Sequence, residues 1–315
     1  MRRDVWPALA PLIVMALAAP FINSSSTFAT LTLASLAMGG MLFIMASGLT
    51  LAFGLMDVLN FGHGAFIALG AFAATAVYAA HPGGLGVFAL ALLAAVVVGA
   101  VAGLAFEKLL VAPVYGKHLE QILVTLGGSI VIEQLLISVF GSQPLDLQPP
   151  EILRGAITWG TVSVETFRLV SLGLGLLVFA KLQWLLSYTR VGLLIRAGVE
   201  NREMVEALGY RIDRLFVAVF MGACALAAFG GALWGFFQNQ ARAGMGGELL
   251  VLVFIVVIIG GLGSIPGCWI GATLVALIAN YAGFLAPKFA LVSNIALMVA
   301  VLLWRPRGLL PLGAK

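Results

Sequence analysis

Residues 85–106 read LGVFALALLAAVVVGAVAGLAF, an unbroken apolar stretch with no charged residue and no proline. A helix rises about 1.5 Å per residue, so about 20 apolar residues cross the hydrocarbon core of a bilayer. Working outward, further apolar runs lie at 5–22, 28–53, 64–80, 121–140, 169–187, 214–237, 249–262, 267–286 and 289–304. Because three of the runs are short or interrupted, we predict eight to ten transmembrane segments.

The composition agrees with that prediction. Of the 315 residues, 62% are hydrophobic and 10% are charged, whereas soluble domains carry about 25% charged residues. So few charges exclude a soluble enzyme, a nucleic-acid-binding module and a large extramembrane domain. The abundant Gly and Pro suit close helix packing and interrupted helices. We therefore expect an all-α polytopic membrane protein with broken helices, forming a single transmembrane domain over residues 1–315.

The basic residues orient the chain, because cytoplasmic segments of membrane proteins carry an excess of Lys and Arg. With ten crossings and a cytoplasmic amino terminus, twelve basic residues lie inside, and four lie outside: Arg154, Arg168, Arg242 and Lys288. We therefore expect both termini on the cytoplasmic side. The basic start before the first apolar run is also typical of a signal peptide. We favour an uncleaved first span, because further apolar segments follow at once.

Residues 141–168 form a polar segment that lies outside in this orientation. It is longer than most connections, and Val162, Val164 and Phe167 alternate with polar residues. This pattern predicts a short strand or an interfacial helix. Two interpretations stay open: a surface on which a periplasmic protein lands, and an ordinary connecting loop.

A second polar segment, about 188–214, lies inside. Asn201 is suited to begin a short helix and Gly209 to end it, with carboxylates in the early turns, where the helix dipole favours them. An apolar stripe runs along this charged segment: Ala197, Met204, Val205 and Leu208. The helix either binds a partner or lies on the lipid headgroups.

Signals of enzymatic or metal chemistry are scarce in this sequence. Cys224 and Cys268 lie in separate apolar runs and form no CxxC pair, so we expect no cofactor, metal site or disulfide. The phosphate-binding pattern Gly-x4-Gly-Lys-Ser/Thr does not occur. We conclude that the chain is not an enzyme, and that any ATP hydrolysis that powers it belongs to a partner chain.

Four polar residues in or beside the apolar runs are candidates for a solute pathway: Asp57, Asn60, His63 and Glu133. Ionisable groups within a membrane are costly, and they usually face an interior path or a partner. The alternative is structural, with Asn60 and His63 tying helices together and a hydrogen-bonded Glu133 linking two helices.

Glycines accompany these positions and a second interruption of the apolar pattern. Gly62 and Gly64 predict a broken helix whose free backbone groups could contact a zwitterionic solute. Between two later runs, residues 260–267 contain Gly261, Gly263 and Pro266. This stretch predicts a hinge or a tight helix crossing.

Five stretches, in register along the chain, resemble one family of permeases. They are GLTLAFGLMDVLNFGHGAF at 48–66, VYGKHLEQILVTLG at 114–127, RAGVENREMVEALG at 196–209, GGLGSIPG at 260–267 and RPRGL at 305–309. Together they are similar to the branched-chain amino acid permeases of bacterial ABC importers, of the LivH type, over roughly residues 28–310. The sister LivM-type permeases usually have Ser-Leu-Gly-His where this chain has Asn60-Phe61-Gly62-His63. A departure is Cys268-Trp269, where smaller residues are commoner.

The resemblance implies an ABC importer permease fold in the bacterial inner membrane, moving branched-chain or related amino acids inward by alternating access. It implies four kinds of partner: a LivM-type sister permease or a second copy of this chain, two ATP-binding cassette ATPase subunits, a periplasmic substrate-binding protein, and a small amino-acid-like solute, with no nucleic acid. It also implies an ATPase-coupling role for Arg196, Glu200, Asn201, Met204 and Gly209.

Other functions stay open at this point. The family and its near relatives are also similar to permeases for urea, short amides and aromatic acids, so the resemblance does not fix the solute. A proton-coupled secondary transporter using Glu133 or His63, and a channel or structural membrane subunit, are the remaining hypotheses. Neither of them explains the amphipathic helix at 188–214, which suits docking to an ATPase.

Overall fold

The helices follow the ten apolar runs. The structure is a computed structural model that describes residues 6–22, 24–56, 58–81, 83–200 and 202–311. The helices are α1 Trp6–Ala18, α2 Ser25–Met56, α3 His63–Ala80, α4 Leu85–Phe106, α5 His118–Phe140, α6 Glu151–Arg154, α7 Thr166–Tyr188, α8 Arg190–Glu200, α9 Arg202–Ala207, α10 Ile212–Gln238, α11 Met245–Gly260, α12 Ile265–Leu285 and α13 Ala290–Trp304. Within the described ranges, α2, α3, α4, α5, α7, α10 and α12 are long and apolar enough to cross a membrane, and three shorter apolar helices lie in the regions of α1, α11 and α13. The prediction of an all-α polytopic membrane protein is confirmed.

The polar segment between α5 and α7 contains short antiparallel strands. β2 Ala156–Trp159 pairs with β3 Val162–Glu165, across a turn in which Gly160 has φ 64°. β1 Leu145–Asp146 pairs with β4 Gln240–Ala241, which follows α10. The alternation seen in the sequence is therefore that of a strand. The side of the bundle that carries these strands is called the outer side below, and the opposite side the inner side.

Two four-helix units repeat within the bundle. α4 packs on α10 as α12 packs on α2, and α3 packs on α4 and α5 as α11 packs on α12 and α13. In the first unit α2 ends at Met56 and α3 begins at His63; in the second, α10 ends at Gln238 and α11 begins at Met245, both 182 residues later. Successive crossings alternate in direction, and α10 is the fifth long membrane helix after α2. The second unit is therefore inverted relative to the first, an arrangement common in transporters.

α2 is the central helix of the bundle and packs against α7, α10, α11 and α12. Phe43 on α2 meets the rings of Phe179 on α7 and Trp269 on α12, with centroids 5.7 and 5.1 Å away. Phe179 and Trp269 also pack on each other. The unusual bulk of Trp269 therefore packs at a junction of three helices.

The predicted hinge at 260–267 is a close crossing of backbones on the inner side. Gly261 and Gly263 have φ values of 96° and 76°, which side chains with a Cβ rarely adopt. Gly263 lies directly against Gly54 near the inner end of α2. Pro266 occupies the first turn of α12, where its missing N–H is not needed.

The segment after α13 folds back onto the end of α11. The Leu309 N–H donates to the Ile259 carbonyl at 2.8 Å, and the Leu310 N–H donates to the Gly260 carbonyl at 3.0 Å. These carbonyls are among the last four of α11, which have no partner within the helix. Leu309 is buried. Residues 305–311, called the C-terminal hook below, therefore cap a membrane helix.

Candidate functional site

The two helix interruptions, described over 58–62 and 239–244, approach each other inside the bundle. Gly64, in the first turn of α3, lies against the backbone of Gly246 in the first turn of α11, and the contact is reciprocal. A Cβ on Gly64 would lie 2.8 Å from the carbonyl carbon of Gly246, and a Cβ on Gly246 would lie 2.7 Å from that of Gly64. Only glycine permits this approach. The two inverted units thus meet where each has a break.

Side chains from α5 satisfy the backbone of the first interruption. The Leu59 N–H donates to Gln121 Oε1 at 3.4 Å, and the Phe61 N–H donates to Thr125 Oγ1 at 3.1 Å. Gln121 and Thr125 are buried and one helical turn apart. Backbone groups outside a helix need such partners at membrane depth, so α5 holds this segment in its extended course.

Asn60 lies in the core within that segment. Its side-chain oxygen and nitrogen are both buried and have no hydrogen-bond partner in the described part of the chain. A buried amide without partners costs about 1–3 kcal/mol. Such a group in a folded protein needs an explanation, commonly a functional one.

His63 begins α3 and is 0% exposed. Its Nε2 lies 2.9 Å from the Met45 carbonyl oxygen. A carbonyl only accepts hydrogen bonds, so Nε2 carries the proton and Nδ1 is left as an acceptor, with no partner among the described residues. The bond joins α3 to α2, as the helix-tying interpretation requires.

Glu133 on α5 lines a small cavity between α3, α5 and α11. The cavity measures about 50 Å³ and is also lined by Gly64, Ser129 and Leu250. This is room for about one or two water molecules, and an amino acid does not fit. Glu133 Oε1 lies 3.7 Å from the position of a Cβ on Gly244, beside the amino terminus of α11. That terminus has no side-chain cap, and helix amino termini attract negative charge.

The structure therefore separates the four predicted pathway residues. Glu133 lines the cavity at the crossing, Asn60 and His63 lie buried near the start of α3, and Asp57 lies outside the described residues. Sequence reasoning missed Gly246. The signal that could have found it is the repeat, because Gly246 follows Gly64 by the same 182 residues that separate the helix ends.

The inner polar segment contains two helical stretches, α8 before Asn201 and α9 after it. The predicted apolar stripe is divided: Val205 is buried, whereas Met204 is 61% and Leu208 71% exposed. Arg196 on α8 is also exposed. Glu200 is the last residue of α8; its side chain, and all of Asn201, lie outside the described residues. The segment thus presents apolar and basic side chains together.

Gly209 ends α9 as predicted, with φ 87°. The Gly209 N–H donates to the Glu206 carbonyl at 2.9 Å, and the Tyr210 N–H donates to the Val205 carbonyl at 3.3 Å. This pair of bonds is the Schellman motif, which satisfies carbonyls at a helix end. The motif fixes the direction in which the chain turns from α9 into α10.

A bundle of apolar helices with two inverted units, each interrupted where it meets the other, defines a polytopic membrane transport protein. Residues 31–302 match the family described as branched-chain amino acid transport system / permease component. The chain belongs to this family, whose members are permease subunits of ABC transporters.

The chain is also similar to individual named permeases. It is 27% identical over 286 residues to the high-affinity branched-chain amino acid transport system permease protein LivH of Escherichia coli K12, covering 87% of this chain and 92% of that protein. It is 26% identical to the permease protein BraD of Pseudomonas aeruginosa, covering 87% and 93%. A probable branched-chain amino acid transport permease protein LivH of Methanocaldococcus jannaschii is 32% identical over 162 residues, 48% of each chain. No solved structure gave a significant match.

Proposed function

We propose that this chain is a membrane subunit of a bacterial inner-membrane importer of branched-chain amino acids, driven by two separate ATPase subunits. The observation that carries the proposal is the meeting of two helix breaks beside one carboxylate, Glu133. Family membership supplies the solute class. Both termini are cytoplasmic in this proposal, as the twelve inner and four outer basic residues favour.

The cavity at the crossing offers complementary groups for a zwitterion. The Glu133 carboxylate suits the α-ammonium group of an amino acid, and the uncapped amino terminus of α11 suits its α-carboxylate. The aliphatic side chain would lie against Leu250 and Ala65, which line the same cavity. Because the cavity now measures only about 50 Å³, admission of the solute requires α3 and α11 to move apart.

The crossing cavity is not fully enclosed by this chain, which supports a second permease chain beside it. Glu133 and Phe61 are only half-buried, and Gly247 is exposed. A carboxylate facing lipid would be costly, so the α5–α11 face fits an interface better than a lipid-exposed surface. In this proposal, a LivM-type sister or a second copy completes the pathway there. A periplasmic substrate-binding protein delivers the solute from the outer side.

The inner helices α8 and α9 are proposed as the ATPase-coupling element. Met204 and Leu208 offer apolar area to a groove on the ATPase, and Arg196 offers charge. Val205 anchors α9 in the core, and Gly209 sets its exit towards α10. A displacement of α9 would therefore pass directly to α10, which packs on α2, α3 and α4 of the other inverted unit.

The proposal is tested by reconstituting the permease with its sister chain, ATPases and binding protein in liposomes. We expect ATP-dependent uptake of labelled leucine that is independent of a proton gradient, with urea, acetamide and benzoate as competing solutes. Uptake of one of these compounds in place of leucine would show that it, and not leucine, is the transported solute. Uptake driven by a proton gradient without ATP would refute the ABC mechanism.

Substitution of Glu133 tests the pathway. Glu133→Gln keeps the shape of the side chain and removes its charge, so we expect at least tenfold slower leucine uptake with normal assembly. Glu120→Gln is the matched control, because Glu120 lies on the same helix but is exposed and paired with Lys117. Equal uptake by the two variants would show that Glu133 does not contact the solute.

Substitution of Met204 tests the coupling element. Burial of a Met side chain contributes about 1.5–3 kcal/mol, so Met204→Glu should weaken ATPase docking by about tenfold or more. We expect uptake and receptor-stimulated ATP hydrolysis to fall together. Leu119→Glu is the control, because Leu119 is similarly exposed and lies at the inner end of α5. Normal stimulation of ATP hydrolysis in the Met204 variant would refute the assignment.

A further inference from the structure

A large pocket opens on the outer side, between the end of α3, the start of α4 and the segment 146–154. It measures about 850 Å³, within the range of small-molecule sites. Apolar side chains of Leu85 and Ile152 and charged side chains of both signs line it. The family match and the crossing cavity do not account for this pocket.

The charged groups of the pocket are not committed to one another. Arg154 uses Nε to donate to the Pro149 carbonyl at 2.6 Å, and no ion pair joins it to another described residue. Asp146 and Glu151 likewise make no ion pair or side-chain hydrogen bond within the described ranges. The Tyr78 hydroxyl is buried without a partner there, and Tyr78 lines the pocket together with Arg154.

These groups are held in place by the fold. Asp146 belongs to β1, whose pairing with β4 ties it to the end of α10. Arg154 ends the short helix α6, and its bond to Pro149 closes the loop around it. The ring of Tyr78 packs edge-on against Phe236, with centroids 5.0 Å apart. The pocket therefore presents its two signs of charge from rigid positions.

The pocket and the crossing cavity lie along one face of α3. Ala68 lines the cavity and Thr75 lines the pocket, and a spacing of seven residues puts both on one face of α3. Between them, on the same face, stands Phe72, whose ring contacts Phe140 on α5 with centroids 4.9 Å apart. This aromatic pair therefore lies between the α3 position that lines the pocket and the one that lines the cavity.

We infer that the outer pocket is a receiving site for the zwitterionic amino acid, closed from the crossing cavity by the Phe72–Phe140 pair. Asp146 and Glu151 bind the α-ammonium group. Arg154, with the Tyr78 hydroxyl, binds the α-carboxylate, since guanidinium–carboxylate hydrogen bonds are strong. Ile152 and Leu85 contact the aliphatic side chain. The inference rests on the proposed function, because it takes its solute from there.

A labelling experiment on the receptor-free permease complex tests the receiving site. Ile152 is 70% exposed, so Ile152→Cys should react with a water-soluble maleimide, whereas the native Cys224 and Cys268 are buried. We expect leucine to slow this labelling in a saturable manner. 3-Methylbutylamine lacks the carboxylate and 4-methylpentanoate lacks the ammonium group, so each should protect about tenfold less well.

Two charge substitutions in the Ile152→Cys protein assign the contacts. Arg154→Gln should weaken protection by leucine about tenfold and leave protection by 3-methylbutylamine unchanged. Asp146→Asn should likewise weaken protection by leucine about tenfold, but leave protection by 4-methylpentanoate unchanged. Arg168→Gln is the control, because Arg168 is an outer arginine that pairs with Glu165 away from the pocket. Since Asp146 and Arg154 report on opposite ends of the solute, either variant suffices if the other does not assemble.

Three outcomes would overturn the inference: no protection by leucine up to its solubility, protection by both analogues as strong as that by leucine, or protection only by the binding protein. The last outcome would show that the pocket is a contact surface for the binding protein. Leucine uptake by the unsubstituted complex separates the two proposals. Uptake without protection overturns the receiving site alone, whereas absence of leucine uptake overturns the proposed function itself.

Discussion

The crossing of Gly64 and Gly246 allows a quantitative test of the fold. In Gly246→Ala, the new Cβ would lie 2.7 Å from the Gly64 carbonyl carbon, whereas ordinary contact begins at 3.4 Å. The backbones of α3 and α11 must therefore separate by at least about 0.7 Å, the difference between those distances. Overpacking of this kind typically costs 1–3 kcal/mol, and rigid backbone lies on both sides of the contact.

Gly247→Ala is the matched control, because nothing lies within 4 Å of a Cβ at that position. Both substitutions gain about 1 kcal/mol of helix propensity, since both positions lie in α11. Their difference in free energy of unfolding therefore isolates the clash. We expect Gly247→Ala to be as stable as the unsubstituted protein or more so, and Gly246→Ala to be less stable than Gly247→Ala by about 1–3 kcal/mol.

The measurement is a denaturant titration of the purified permease in detergent micelles, followed by far-ultraviolet circular dichroism. The double substitution Gly64→Ala/Gly246→Ala adds a second criterion. One separation of the two helices relieves both clashes, so the double variant should lose less than the sum of the single losses. Equal stability of Gly246→Ala and Gly247→Ala would refute the close approach, and with it the meeting of the two interruptions.

Three further predictions concern the core, the inner helices and the hook. His63→Ala removes the bond to the Met45 carbonyl and leaves a void, so we expect a loss of about 2–4 kcal/mol in unfolding free energy, with uptake per assembled complex retained; impaired uptake at normal assembly would return His63 to the pathway. Gly209→Ala forces a Cβ into φ 87° and should cost about 1–2 kcal/mol, read as faster amide exchange in α9 with α5 unchanged. Leu309→Asp puts a carboxylate where the side chain is buried, and exchange at the end of α11 should rise; unchanged exchange would show that the hook does not hold this end.

The membrane helices were predictable because each crossing of the hydrocarbon core requires about 20 apolar residues in a row. Predicted and observed bounds agree within a few residues: 85–106 is α4, and the run at 169–187 is α7, Thr166–Tyr188. A strand at 162–165 was one of the two forms that the alternation predicted, because side chains of a strand point alternately to its two faces, and Val162 and Val164 are less exposed than Ser163 and Glu165. In each case the signal is a local pattern of polarity.

The partners of each helix could not be predicted in the same way. A helix buried on all sides has no polar face, so its sequence does not indicate which side meets which neighbour. Glu133 and His63 therefore looked equivalent in sequence, although one lines a cavity and the other is 0% exposed. The divided stripe on α9 has the same cause, because spacing alone did not tell Val205 from Met204.

The C-terminal hook has a consequence for biosynthesis. Within the described part of the chain, the carbonyls of Ile259 and Gly260 accept hydrogen bonds from outside α11 only from Leu309 and Leu310, some fifty positions later. While the ribosome is still making α12 and α13, the inner end of α11 must rely on water or lipid headgroups for these bonds. The second inverted unit therefore cannot reach its final packing until translation has passed residue 310. A nascent chain arrested before that point would keep two carbonyls at the inner end of α11 without their protein partners.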